Sequence, residues 1–183
     1  MEQKGTETTP RIYVASLSDY NAGRLHGEWI NADQDAEAIH AAIATMLAGS
    51  KEPIAEEWAI HDYEGFGGLN LGEYEPIELV AEVALLLSEH GGMFGALVGH
   101  FGGLANIEDA KACMEGGYYG AFKSLEDYVY EFVDECYGDS VKGLPDFIRN
   151  HLDYEGMAHD LEISGDVFTI EHDGEVHVFS SNY

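Results

Sequence analysis

The hydrophobic and polar positions divide the chain into alternating and helical stretches. Arg11–Leu17 (RIYVASL) reads as a strand, Asp19–Gly23 as a turn, and Leu25–Ile30 as the antiparallel partner. Asp33 or Asp35 can cap a following helix, in which Ile39, Ala42, Ile43, Met46 and Leu47 share one face. Gly49 ends that helix, glycine being suited to the left-handed position after a helix. Glu57–Tyr63 (EWAIHDY) reads as a third strand. The expectation is a small β-β-α-β unit over residues 1–69.

A glycine-rich joint, Gly65–Gly72 (GFGGLNLG), follows. It has no Gly-Lys-Ser or Gly-Lys-Thr and no strand-turn-helix frame, so it reads as a hinge and not as a phosphate loop. From Pro76 to Ala105 the pattern is helical, with Ile77, Val80, Ala81, Ala84 and Leu87 on a buried face. Gly91, Gly95, Gly99 and Gly103 then recur every fourth residue. Each interior glycine costs about 1 kcal/mol against alanine. The spacing therefore reads as a short helix packed closely on a neighbour, or as loops broken at Gly91–Gly92 and Gly102–Gly103. Residues 70–105 make a central helical domain on this reading.

The remainder, residues 106–183, mixes both types. Tyr118–Phe122 reads as a strand, and Ser124 caps a helix through the Ser-x-x-Asp pattern with Asp127. Leu125, Tyr128, Val129, Phe132, Val133 and Cys136 form its apolar face. Pro145 opens a short helix, and Tyr154, Met157, Ala158 and Leu161 line another. Val167–His172, an Asp173–Gly174 turn and Glu175–Phe179 make a closing hairpin. The Asp-Tyr-Glu-Gly echo at Asp62–Gly65 and Asp153–Gly156 reads as chance. The fold class expected is α+β, an elongated chain of three small domains.

Charge changes the picture. The 183 residues carry 35 acids against 8 bases, a formal net charge of −27. The 21 aromatic residues still allow a packed core, so the charge does not imply disorder. Acids and bases number 12 and 4 in residues 1–69, five and none in 70–105, and 18 and 4 in 106–183, so no single acidic tail accounts for the total. Such a chain would repel nucleic acid and an anionic membrane surface. Met1–Pro10 is polar, without the apolar stretch of a signal peptide. The apolar window Val83–Phe101 is broken by Glu89, two histidines and four glycines, which argues against a membrane span. Cys113 and Cys136 match no metal or redox motif and are expected as free thiols in a cytoplasmic protein.

The acids also lie in stripes. At 100° per residue Glu75, Glu78, Glu82 and Glu89 fall within ~60° of each other. Asp127, Glu131 and Asp134 form a second stripe flanked by Glu126 and Glu135. Like charges three or four residues apart are mildly repulsive, and no lysine is interleaved. A homodimer would carry −54, the charge of roughly 90 Å of duplex DNA. Two readings follow: a surface that occupies the basic groove of a DNA-binding enzyme, or an acidic exterior serving solubility.

Specific chemistry is thinly signalled. His61 and Asp62 are adjacent on a strand and should point to opposite faces, which favours a packed or capping histidine over a shared ion. His172 and His177 flank the last hairpin without a third ligand and read as surface histidines. No Gly-x-Ser-x-Gly elbow, His-Glu-x-x-His helix or Asp-x-Asp-x-Asp-Gly loop occurs. No cofactor or metal is expected.

The residues Ile12–Asn21 (IYVASLSDYN), Gly27–Trp29, Trp58–Phe66 (WAIHDYEGF), Leu152–Glu155 and His159–Leu161 together resemble the ArdA antirestriction family, across about Arg11–Phe179. His159 stands where the family usually carries arginine. The resemblance implies a curved, elongated protein of three small domains, dimerising through the C-terminal one. It implies a non-enzymatic mimic of B-form DNA that blocks type I restriction-modification enzymes at their methyltransferase core and protects incoming mobile DNA. The residues expected to stand in for phosphates are Glu75, Glu78, Glu82, Glu89, Glu126, Asp127, Glu131, Asp134 and Glu135. Two other readings stay open: a metal-dependent hydrolase built on acidic and histidine clusters, and an acidic adaptor for another basic protein.

Overall fold

The computed structural model describes residues 8–183, so the first seven residues of the polar Met1–Pro10 segment lie outside the described residues. Helices and two small antiparallel sheets give an α+β fold. The chain divides into two compact units, the first ending at Ala110 and the second spanning Lys111–Tyr183.

The first unit is built on β1 (Arg11–Ser16), flanked by β2 (Gly27–Asn31) and β3 (Trp58–Glu64) in the order β2-β1-β3. Alternation along β1 turns Ile12 and Val14 inward, where they are fully buried, and leaves Arg11 and Tyr13 half-exposed. The turn expected at Asp19–Gly23 is instead a short helix, α1 (Leu17–Asn21). The reason is local: the Ser16 side chain accepts the Asp19 N–H at 3.3 Å and donates to the Asp19 carboxylate at 2.9 Å. Asp19 is buried, with further hydrogen bonds from the Ser50 hydroxyl and the Arg24 guanidinium. These bonds, Ser50 first, hold its carboxyl below the usual range despite burial.

Helix α2 (Ala36–Ala48) buries Ile39, Ile43 and Met46, with Ala42 and Leu47 half-buried. Asp35 occupies its N-cap position without a side-chain bond, and Gly49 ends it in a right-handed conformation, φ −80°, not the left-handed one expected. The third strand corrects another inference. Tyr13 pairs with Asp62 and Val14 with Ile60, so His61 is the extra residue of a bulge. Strict alternation therefore does not apply at His61–Asp62; His61 turns its ring edge to Tyr20 at 5.0 Å.

Helix α3 (Ile77–His90) buries all five residues expected and Val83 as well. It begins after Pro76, so Glu75 lies outside it and binds the Gly72 N–H at 3.2 Å. Gly91 breaks the helix, and α4 (Gly92–His100) follows, burying Phe94, Leu97 and Val98. Two side chains of the glycine-rich joint are packed, Phe66 and Leu69 being buried, and a Cβ on Gly95 would meet the Phe66 carbonyl at 2.3 Å. Both readings of the glycine repeat hold in part, since Gly95 permits a close approach while Gly91, Gly102 and Gly103 break the helices.

Helix α5 (Ile107–Gly116), which the pattern did not suggest, leads into the second unit. There β4 (Tyr118–Phe122), β5 (Val167–His172) and β6 (Glu175–Ser180) form a sheet in the order β4-β6-β5. The β5–β6 hairpin turns at Asp173 and Gly174, both at positive φ. Helices α6 (Leu125–Lys142) and α8 (Tyr154–Ser164) cover the sheet around Tyr128, Val129, Ala158, Val167 and Val178. Between them α7 (Asp146–Arg149) follows Pro145. The apolar face of α6 is only half used: Tyr128 and Val129 are buried, while Phe132 and Cys136 are exposed. Among the described residues no helix is long and apolar enough to cross a membrane.

Two outcomes check this architecture. Gly95→Ala should destabilise by ~1–3 kcal/mol through overpacking, whereas Gly99→Ala, which meets nothing within 4 Å, should be neutral or stabilising; urea unfolding of both variants measures the contrast. Asp19→Asn should lower Tm at neutral pH. Because the folded carboxyl titrates below its unfolded value, its stabilisation is full above pH ~4 and is lost as pH falls below that. The Tm gap between wild type and Asp19→Asn should therefore close in acid.

Candidate functional site

Carboxylate surface dominates the described residues. On α3 the buried apolar face fixes the opposite face outward, and Glu78, Glu82 and Glu89 share it. Glu78 and Glu89 are exposed and Glu82 is half-buried. Three carboxylates over ~16.5 Å of axis is about one per 5.5 Å. Glu78 faces His40 of α2 at 3.2 Å; its own backbone N–H and then His40 hold its carboxyl below the usual range. Glu75, expected in this stripe, is instead half-buried in the preceding loop.

On α6 the density is higher. Ser124 caps the helix, its hydroxyl accepting the Asp127 N–H at 3.1 Å. Glu126 and Asp127 then lie in the first turn, where the helix dipole favours negative charge. Glu131, Asp134 and Glu135 follow, and all five are exposed. Five carboxylates over ~13.5 Å is about one per 2.7 Å, against ~1.7 Å for duplex DNA. No lysine or arginine lies between them in the sequence.

Three arginines engage other acids. Arg11 binds Glu64 and stacks over the Trp29 ring at 4.7 Å. Arg24 bridges Asp19 and Glu52, and Arg149 binds Asp146 three residues back. These pairs hold loops and strand ends, away from the α3 and α6 stripes in sequence.

Among the described residues no group of three or more His, Cys, Asp or Glu is placed to hold a metal ion. His177 is buried, not a surface residue as expected, because it lies on the central strand of its sheet. Its Nδ1 is 2.8 Å from the Tyr118 hydroxyl, and burial lowers its pKa. His172 is half-buried with its ring 6.5 Å from that of His177. Cys113 is buried, its thiol pushed up to about 11 by desolvation; Cys136 is exposed, and both are free. The two Asp-Tyr-Glu-Gly segments differ in structure, one ending β3 and the other starting α8 with an Asp153 cap.

The buried Ser16–Asp19–Ser50 cluster was missed in the sequence, although Ser16-x-x-Asp19 is itself a capping signal. A Ser124→Ala variant should cost about 1 kcal/mol by urea unfolding, the usual loss for an N-cap hydroxyl.

Compared with known proteins, residues 12–176 match the family model described as antirestriction protein (ArdA). The search of curated proteins found no match.

Proposed function

The chain belongs to the ArdA family of antirestriction proteins, and from that membership and its surface we propose that it acts by imitating DNA. Its carboxylates take the place of phosphates in the DNA-binding groove of type I restriction-modification enzymes, at the methyltransferase core. Incoming mobile DNA is thereby protected without any reaction being catalysed. The three-domain division (1–69, 70–105, 106–183) and a homodimer joined through the C-terminal stretch belong to the same proposal.

The observation that supports it most is the outer face of α6, with Glu126, Asp127, Glu131, Asp134 and Glu135 exposed in two and a half turns. Such a face is unfavourable in an isolated helix. A groove lined with lysine and arginine would turn that repulsion into attraction. The α3 stripe adds Glu78, Glu82 and Glu89 at lower density, and Glu75 contributes from the loop before it. Attraction of this kind acts over about a Debye length, ~8 Å at physiological salt, so it speeds encounter and tolerates imperfect register.

The hydrolase reading needs a ligand cluster, and the histidines are scattered or engaged elsewhere. The adaptor reading predicts inhibition of no restriction enzyme.

The test is restriction of unmodified DNA by a purified type I enzyme in the presence of charge variants. Glu131→Gln alone should weaken inhibition less than about fivefold, because one exposed ion pair contributes little. Changing Glu126, Asp127, Glu131, Asp134 and Glu135 of α6 together to amides should weaken it by about two orders of magnitude, if the small terms add. A folded single-site variant that loses inhibition altogether would show that one residue, not distributed charge, carries the effect.

A further inference from the structure

Each of the two acid runs carries a strongly exposed tyrosine that charge imitation alone does not use. Tyr74 heads the α3 run, in the turn between Glu73 and Glu75, and is 70% exposed. That turn is pinned at both ends: the Ile60 N–H donates to the Glu73 carbonyl at 2.9 Å, and the Gly72 N–H to the Glu75 carboxylate at 3.2 Å. Glu78, in the first turn of α3, follows four residues on. Tyr130 sits inside the α6 run and is 57% exposed. Glu126 and Asp127 precede it by four and three residues and Asp134 follows it by four, which makes all three its neighbours on the helix surface. Its ring meets that of Tyr154 on α8 in a T-shaped contact at 5.2 Å, which orients it among those carboxylates.

We propose that Tyr74 and Tyr130 are arginine-reading positions, at which a guanidinium of the basic partner stacks on the ring while a flanking carboxylate accepts its N–H groups. The inference rests on the basic groove proposed above and names the cation of that groove which these rings select. The chain contains the same arrangement internally: Arg11 lies 4.7 Å over the Trp29 ring while it binds Glu64. A planar, weakly hydrated guanidinium can stack on a ring and bind a carboxylate at once. A lysine ammonium is a compact, strongly hydrated point charge and gains less from the ring. An acid run that served by charge alone would gain nothing from a large ring left in water. Tyrosine and arginine are also the side chains that carry most binding energy where proteins meet.

The experiment uses the full chain and two fluorescent peptides of about ten residues, one alternating arginine with serine and the other lysine with serine. Bidentate pairing with carboxylates favours arginine by itself, so the readout is the change that ring variants make in each affinity, by anisotropy at about 0.15 M salt. Tyr74→Leu combined with Tyr130→Leu should weaken binding of the arginine peptide about fivefold and of the lysine peptide less than about twofold. Tyr74→Phe combined with Tyr130→Phe should bind both as the wild type does, because the ring and not the hydroxyl is used. Circular dichroism verifies each fold. Tyr74→Leu alone, in a solvent-facing turn, should weaken arginine-peptide binding about twofold and keeps the test if loss of the Tyr130–Tyr154 contact disturbs α6. Arginine-peptide affinity unchanged in the folded leucine variants overturns the proposal, as does an equal loss for both peptides. Failure of the mimicry itself reads differently, as a wild-type protein that leaves a type I enzyme fully active whatever the peptides show.

Discussion

Mutual repulsion among 35 carboxylates, with 8 bases to offset it, is the constraint under which this chain folds. Each exposed like-charge pair on a helix costs only ~0.2–0.5 kcal/mol, because water and salt screen it. A large apolar side chain removed from water contributes ~1.5–3 kcal/mol, and Phe94, Phe179, Ile12 and Leu97 are among many that are wholly buried. The comparison favours the core. Among the described residues the one carboxylate taken deeply inside, Asp19, accepts from two hydroxyls and a guanidinium. The other described acids are exposed or half-buried, where water and salt weaken their repulsion.

The few cations are used economically. Arg11, Arg24 and Arg149 each close a local link: a strand end, the α1 loop and the first turn of α7. None is an intervening residue of the α3 or α6 acid runs. A chain whose acidity served solubility alone would gain a little stability from lysines at i+4 within those runs, and neither Glu78–Glu89 nor Glu126–Glu135 contains one. Next to this polar exterior, a groove between α6 and α8 is apolar and only partly filled.

Most elements were legible in the sequence, for physical reasons. The α3 face at Ile77, Val80, Ala81, Ala84 and Leu87 followed the 3.6-residue period, and the final hairpin followed Asp173–Gly174. What failed depended on tertiary detail. The bulge at His61 broke alternation because one extra residue entered β3 opposite Tyr13–Val14, which no local pattern marks. His177 looked like a surface residue until β6 proved to be the central strand, since strand order is not encoded locally. Glu75 fitted the α3 wheel arithmetically, but Pro76 starts the helix after it. Phe132 and Cys136 kept helical period with the core, yet α8 covers α6 only in part, which leaves them exposed. For the acid stripe, Glu126, Asp127, Glu131, Asp134 and Glu135 were readable because exposed charge on a long helix needs only the helix to be right.

The central claim is that a basic groove built for duplex grips this polyanion in its place. It is tested most directly by competition between the full-length protein and duplex DNA for a purified type I methyltransferase core, at about 50 and about 200 mM salt. The account predicts that the protein displaces DNA at the lower salt and that its own affinity falls steeply at the higher, as charge-driven binding to a phosphate site does. Failure to displace DNA at low salt, or displacement indifferent to salt, would contradict it.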